Sequence, residues 1–249
     1  MPTKLIHQVR AVKNIKEIEN IIQAQRISEQ VLSETLKILK TGITEIEVET
    51  FIKKSFVKYK APILAFEPIV SFGKNSANIH HTPTKNKLKK GDTIMFDFGT
   101  AVNHYCSDMS RTYFWGKPTQ KQRDIYLIVL QSQELVINKI KAGERRAGVL
   151  DQVARGFLKR KFKIGENKKK TDGFIHGLGH GVGVVIHEWP NLKPKSTDML
   201  PTGSVITVEP GLYFKGLCGV RIEDMILITK NGGENLTKVA KELNNIILN

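Results

Sequence analysis

Cysteine is nearly absent from this chain. Two of its 249 residues, Cys106 and Cys218, carry thiols, and they show no CxxC spacing. A disulfide framework is therefore not expected. Long apolar runs are missing too, since no stretch approaches the ~18 residues that a membrane span needs. The opening MPTKLIHQVRAVKNIKEIEN holds no apolar core segment of the kind that directs secretion. Together these absences lead to the expectation of a protein of the reducing cytoplasm with no membrane partner. Acidic charge is scarce beside basic charge: 24 Asp and Glu face 39 Lys and Arg, a formal net charge of +15. The excess is mainly lysine, scattered or in short runs such as NKLKK (86–90) and GENKKKTD (165–172). These runs carry little arginine and no interleaved aromatic residues. A solvated lysine-rich surface is expected from them, rather than a nucleic-acid interface.

What is present is enough apolar sequence for a sizeable core. Residues 15–40 place Ile15, Ile18, Ile21, Ile22, Val31, Leu32, Leu36 and Leu39 at helical spacing, with Gly42 as the stop. A second helix is expected from Thr44 to about Lys60, opened by Thr-x-x-Glu capping chemistry. Short β-rich runs follow at 68–72, 93–99 and 104–115, then helices at about 119–141 and 147–163. Strand character returns near 204–209, 212–215 and 219–229, and the tail LTKVAKELNNIIL reads as a short helix. The stretch 70–92 reads as a functional loop or an unrecognised strand. Helices come in pairs and strands return in hairpins, which argues for an α+β domain with an antiparallel sheet. The order helix–helix–hairpin occurs twice and hints at an internal duplication.

Residues 176–188, HGLGHGVGVVIHE, hold three of the seven histidines between Gly177, Gly179, Gly181 and Gly183. Glycine costs a helix roughly 1 kcal/mol per site relative to alanine, so a helical ligand pair is excluded. The glycines fall at every second position, and no dinucleotide or phosphate loop fits that frame.

Two hairpins place acids together. With a two-residue turn at Val102-Asn103, Ala101 faces His104 and Asp97 faces Asp108. With a three-residue loop at Lys215-Gly216-Leu217, Glu209 faces Glu223. Facing residues stand about 5 Å apart at Cβ, where like charges destabilise. Four carboxylates are not buried unpaired, and these strands offer no matching set of lysines and arginines. Divalent metal resolves the conflict. An oxygen-rich set with one imidazole suits Mn²⁺, Fe²⁺ or Co²⁺, with Zn²⁺ as an alternative. His180 is the candidate nitrogen donor, its flanking glycines letting the backbone approach the site closely.

The run 176–188 resembles the signature of Xaa-Pro peptidases in full. The segments FEPIVSFGKNSANIHHTPT (66–84), GDTIMFDFGTAVNHYCSDMSRTYFWG (91–116), TVEPGLY (207–213) and GVRIED (219–224) resemble the same family. The resemblance runs from about residue 8 to 245. It implies the aminopeptidase P and prolidase branch of metallopeptidase family M24, whose pita-bread fold is a curved antiparallel sheet covered by helices with a pseudo-twofold duplication. Carried over by position, it implies Asp97, Asp108, His180, Glu209 and Glu223 as ligands of two divalent ions, with Mn²⁺ first. The Asp108 and Glu223 positions bridge the ions, the Asp97 position chelates one, and His180 and Glu209 hold the other. On the substrate side it implies His80, His176, His187 and Arg221, the last steadying a ligand carboxylate; Arg221 could alternatively pair with Asp224. His7, His81 and His104 are read as ordinary histidines, and Cys106 as packing.

The implied reaction is hydrolysis of a short peptide by metal-assisted attack of water. Glu209 would accept the proton, while His187 and His80 would stabilise the oxyanion. Members of this branch generally carry a separate N-terminal domain. The chain starts almost at the first catalytic helix, so residues 1–249 are expected to form one catalytic domain without it. A homodimer is an assembly that the resemblance allows. Two other readings stay open: a methionine aminopeptidase-like hydrolase on the same fold, and a non-catalytic binding protein of that fold.

Overall fold

Reciprocal capping starts three of the helices. The computed structural model describes residues 2–162 and 172–249, and most of the lysine run 165–172 lies outside the described residues. The helices are α1 (Pro2–Ala11), α2 (Ile15–Ile38), α3 (Glu45–Lys58), α4 (Gln120–Lys141) and α5 (Ala147–Lys161). Asn14 and Glu17 cap α2, Thr44 and Glu47 cap α3, and Thr119 and Gln122 cap α4, each side chain bonding the other's backbone N–H. Such caps satisfy orphan donors of the first turn and contribute roughly 1 kcal/mol each. α2 gives way at Leu39, and Gly42 takes a left-handed φ of +92° in the turn that follows. None of the described helices is long and apolar enough to cross a membrane.

The strands are β1 (Ile69–Phe72), β2 (Thr93–Asp97), β3 (Ala101–Val102), β4 (Tyr105–Cys106), β5 (Ser110–Trp115), β6 (Gly179–Gly181), β7 (Glu188–Leu192), β8 (Val205–Val208), β9 (Gly211–Phe214), β10 (Cys218–Arg221), β11 (Asp224–Thr229), β12 (Gly232–Asn235) and β13 (Ile247–Leu248). One sheet has the order β1-β2-β5-β13 and a second the order β12-β11-β8-β6-β7, with β3–β4 and β9–β10 as separate hairpins. Every pair is antiparallel except β13 with β5. Helices α2 and α3 pack together and against β1, β3 and β4. Helices α4 and α5 pack together and against β7, β8 and β12. A helix pair on an antiparallel sheet thus occurs twice, as the element order suggested.

Three expectations need correction. Asp97 pairs with Ser110, not Asp108, and Ala101 with Cys106. The turn falls at Asn103 and His104, both at positive φ (47° and 70°). A valine resists that region strongly while asparagine tolerates it, so the turn moves one residue along and the register moves two. The tail is not an α-helix. It forms a 3₁₀ turn, Leu243–Asn245, and then β13 beside Phe114 and Trp115. Runs 104–115 and 219–229 are each broken, at 107–109 and at 222–223, and both breaks carry an acid of the site. The second hairpin does have the expected register: Phe214 faces Cys218 around a loop in which Gly216 has φ +84°, and Val208 faces Asp224.

Between helices and sheets lies a continuous apolar core. Phe56 meets Phe98 edge-on with centroids 5.9 Å apart, Phe98 meets Phe96 at 6.4 Å, and Phe96 meets Tyr113 at 6.1 Å. Truncating one such ring to alanine costs about 3–5 kcal/mol. This packing fixes β2 and β5, and with them the acids at their ends.

Candidate metal centre

Strand ends deliver the acids. Asp97 is the last residue of β2, Asp108 precedes β5, Glu209 follows β8 and Glu223 precedes β11. The two halves are stitched where the Glu223 N–H donates to the Ser110 carbonyl at 3.2 Å, and within the second half the Glu209 N–H donates to the Leu178 carbonyl at 2.9 Å. His180 sits at the centre of β6, between β7 and β8.

The alternating glycines around His180 follow from this position. A Cβ on Gly179 would lie 2.1 Å from the Thr207 carbonyl oxygen, and one on Gly181 would lie 2.4 Å from that of Trp189. Both obstacles are backbone, so neither can yield cheaply. Neighbouring strands close over β6 on the side away from the imidazole, and only glycine admits that approach.

Asp108, His180 and Glu223 each bring one donor atom within 4.8 Å of the others. Nε2 of His180 lies 3.5 Å from Asp108 Oδ2 and 3.4 Å from Glu209 Oε1, while its Nδ1 donates to the Gly181 carbonyl at 3.1 Å. Burial, with the charge of His187 beside it, lowers the His180 pKa to about 4. The ring is therefore neutral at pH 7 and turns a lone pair towards two carboxylates. Burial first, and then the charge of Glu223, push Asp108 and Glu209 well above the usual carboxylate range. Burial and the charge of Asp97 push Glu223 up to about 8. Asp97 Oδ1 is buried without a hydrogen-bond partner. A lone pair aimed at oxygens, crowded acids and an orphaned carboxylate oxygen all call for positive charge among them. The donor set of four carboxylates and one imidazole fits hard or borderline divalent cations.

A second ring of groups holds these donors. Arg221 donates from Nη2 to Asp97 Oδ2, from Nε to Ser110 Oγ at 2.7 Å and from Nη1 to the Tyr213 hydroxyl at 3.1 Å. Ser110 Oγ in turn donates to Glu223 Oε2 at 2.7 Å. Arg221 thus steadies Asp97 and, through Ser110, Glu223. It does not pair with Asp224, which takes Arg111 at 2.7 Å and Lys241 at 2.6 Å instead. Ser110 and Tyr213 were not singled out in the sequence. They lie inside quoted motifs, but nothing local marks a hydroxyl that will relay between charged groups.

The centre opens into a cavity of about 670 Å³. All nine residues singled out as site candidates line it: Asp97, Asp108, His180, Glu209 and Glu223, with His80, His176, His187 and Arg221. The His187 ring stands edge-on to His180 with centroids 4.3 Å apart. His176 is fixed by the Tyr213 hydroxyl at 2.9 Å and the Gly177 carbonyl at 2.7 Å; burial and Arg221 lower its pKa to about 3. His80 is exposed and lines the cavity, whereas its neighbour His81, buried in the same lining, bonds Glu45 at 2.8 Å. Phe66, Pro68, Ile69, Ile79 and Pro83 give the same cavity an apolar lining.

The sequence pattern of metallopeptidase family M24 matches residues 19–230. The chain belongs to that family. It is 39% identical over 239 residues to the Xaa-Pro dipeptidase of Pyrococcus furiosus, covering 96% of this chain and 66% of the relative. It is 38% identical over 236 residues to an uncharacterized peptidase of Staphylococcus haemolyticus, covering 95% of this chain and 65% of the relative. Among solved structures, the X-Pro aminopeptidase of Thermotoga maritima superposes with a TM-score of 0.88 at 35% identity, over 98% of this chain and 66% of the other. The prolidase of Pyrococcus furiosus gives 0.88 at 37% identity, over 95% and 68%. The chain thus spans about two thirds of the length of the relatives it matches, 65% and 66% for the two curated ones. The fold is the α+β pita-bread architecture of this family, and membership implies dependence on divalent metal ions.

Proposed function

We propose that residues 1–249 form the catalytic unit of a peptidase that hydrolyses Xaa-Pro bonds near the N-terminus of short peptides, using two divalent ions, Mn²⁺ foremost. The observation that supports this reading is a single cavity lined by all five expected metal donors together with His80, His176, His187 and the apolar side chains Phe66, Pro68, Ile69, Ile79 and Pro83. The Xaa-Pro names of two relatives agree with it. The two buried free thiols, Cys106 and Cys218, suit a cytoplasmic setting.

Asp97, Asp108, His180, Glu209 and Glu223 would hold the ions, which when bound supply Lewis acidity and lower the pKa of water. The chain's own groups do the rest. Glu209 would accept a proton from the attacking water; it borders the cavity, and the Thr207 hydroxyl donates to its Oε1 at 3.3 Å. His187 and His80 face the cavity and would donate to the oxyanion that develops on the scissile carbonyl. His176, pinned by Tyr213, is a rigid wall. The apolar wall of Pro68, Ile69, Ile79 and Pro83 suits a pyrrolidine ring, whose nitrogen carries no hydrogen and so leaves no donor unpaired there.

The test is hydrolysis of Ala-Pro, Ala-Pro-Ala and Met-Ala-Ser by metal-stripped protein with and without Mn²⁺. Metal-dependent cleavage of a proline peptide supports the reading, and the first two peptides separate dipeptidase from aminopeptidase action. Cleavage of Met-Ala-Ser alone would refute the proline preference.

A further inference from the structure

Glu45 opens α3, and its carboxylate has no exposure to solvent. It borders neither the cavity nor the metal donors, yet it is the most heavily bonded acid outside them. Oε1 accepts from the Phe72 backbone N–H at 2.8 Å, Asn75 Nδ2 at 2.9 Å and Asn86 Nδ2 at 3.3 Å. Oε2 accepts from the Thr84 backbone N–H at 2.9 Å, the Thr84 hydroxyl at 2.7 Å and His81 Nε2 at 2.8 Å. Every one of these donors comes from a single segment, residues 72–86.

Phe72 closes β1 and Gly73–Ala77 is a 3₁₀ turn, but the rest of that segment, 78–86, has no regular structure of its own. It has no ladder to repay the entropy of ordering it. It also supplies Ile79, His80, His81, Thr82 and Pro83 to the lining of the cavity that holds the metal donors. A buried carboxylate tolerates desolvation only when charge-assisted hydrogen bonds surround it. The donors that satisfy Glu45 bracket the wall residues 79–83, and His81 belongs to both sets, so the carboxylate and the segment order each other. The start of α3 adds the favourable end of a helix dipole.

We infer that Glu45 is a positioning residue for the substrate wall. Acting through segment 72–86, it holds His80 and the apolar residues beside it against the cavity and so sets affinity for the peptide, without touching peptide or metal. This inference rests on the peptidase reading of the same cavity.

Glu45→Gln tests it with almost no change of shape. The amide nitrogen must then face the Thr84 N–H or the Phe72 N–H, and neither can accept. The expected result is a rise of about tenfold in KM for the cleaved proline peptide, the loss typical of a charge-assisted hydrogen bond, with kcat and bound metal per chain little changed. Amide exchange across 78–84 should quicken. Glu34→Gln is the control: Glu34 ties α2 to Lys58 and Tyr59 of the next helix's end, away from the segment, and its loss should lower melting temperature while KM stays put. If Glu45→Gln does not fold, Thr84→Val removes a single donor and should raise KM about threefold. A folded Glu45→Gln protein with unchanged KM and unchanged exchange would overturn the inference, as would a KM rise matched by loss of metal. Should wild-type protein cleave no peptide, the peptidase reading falls, and the exchange comparison still decides whether Glu45 orders the segment.

Discussion

His180 presents Nε2 to Glu209 Oε1 across 3.4 Å. The other ring nitrogen is committed to the Gly181 carbonyl, and burial keeps the ring neutral at pH 7. A lone pair and an ionised carboxylate held this close repel unless a proton or a metal cation lies between them. The surrounding acids repeat the same frustration, and its consequences can be measured.

The first concerns pH. Burial and Asp97 raise Glu223 from 4.5 to about 8, and Asp108 and Glu209 also move up. At these acids the metal-free folded protein binds more protons than the unfolded chain, so their contribution to stability declines as pH climbs through that window. The buried His176 and His180 oppose this below about 6.5, where the unfolded chain takes up protons that the folded protein refuses. Metal needs the ionised forms, so metal binding should release protons and tighten over the same range. Thermal melts at about pH 5.5 and about pH 8, each with and without Mn²⁺, should show the metal-induced rise growing with pH. Glu223→Gln should flatten the trend.

Asp108→Asn removes one charge from the crowd. The metal-free variant is expected to melt at or above the wild-type temperature near pH 8, because repulsion is relieved. Stabilisation by Mn²⁺ and metal-dependent turnover should both disappear. Scanning calorimetry of the two proteins with and without metal checks both halves.

Gly179→Ala should cost about 2–3 kcal/mol and weaken metal binding, since its methyl group would meet the Thr207 carbonyl oxygen at 2.1 Å and displace β6. Gly216→Ala meets no atom within 4 Å and strains only its left-handed φ of +84°. It should cost about 1 kcal/mol and leave metal affinity intact. Denaturant titration and metal titration of both variants make the contrast.

Lys13 and Glu188 form an ion pair at 2.5 Å with side chains 1% and 6% exposed. The pair ties the residue after His187 to the start of the chain, with Arg10 adding a second contact at 3.3 Å. Lys13→Met alone should cost about 3–5 kcal/mol, because a buried carboxylate loses its close partner. Lys13→Met with Glu188→Gln should recover much of that loss. A double-mutant cycle in denaturant measures the coupling.

Much of the site was legible in the sequence because its chemistry is compositional. Acids do not sit in apolar strands without a reason, and histidine among glycines at every second position fits no other loop. The second hairpin was readable because Gly216 marks its turn. The first slipped by two residues because its turn rests on Asn103 and His104, a weaker signal than glycine. Helix α1 was missed since Ile6, Val9 and Val12 remain exposed and leave no buried stripe to recognise. The tail has helical spacing, yet Ile247 and Leu248 pair with Phe114 and Trp115, a contact that no local pattern reveals. Glu45 was not singled out in the sequence, because its donors arrive from 27 to 41 residues away.

The most direct measurement is cleavage of Ala-Pro and Ala-Pro-Ala by metal-stripped protein as Mn²⁺ is added back in known equivalents. The expected result is no cleavage without metal and full cleavage once two ions are bound per chain. Cleavage that survives metal removal, or a protein that binds two ions and cleaves neither peptide, would contradict the central claim.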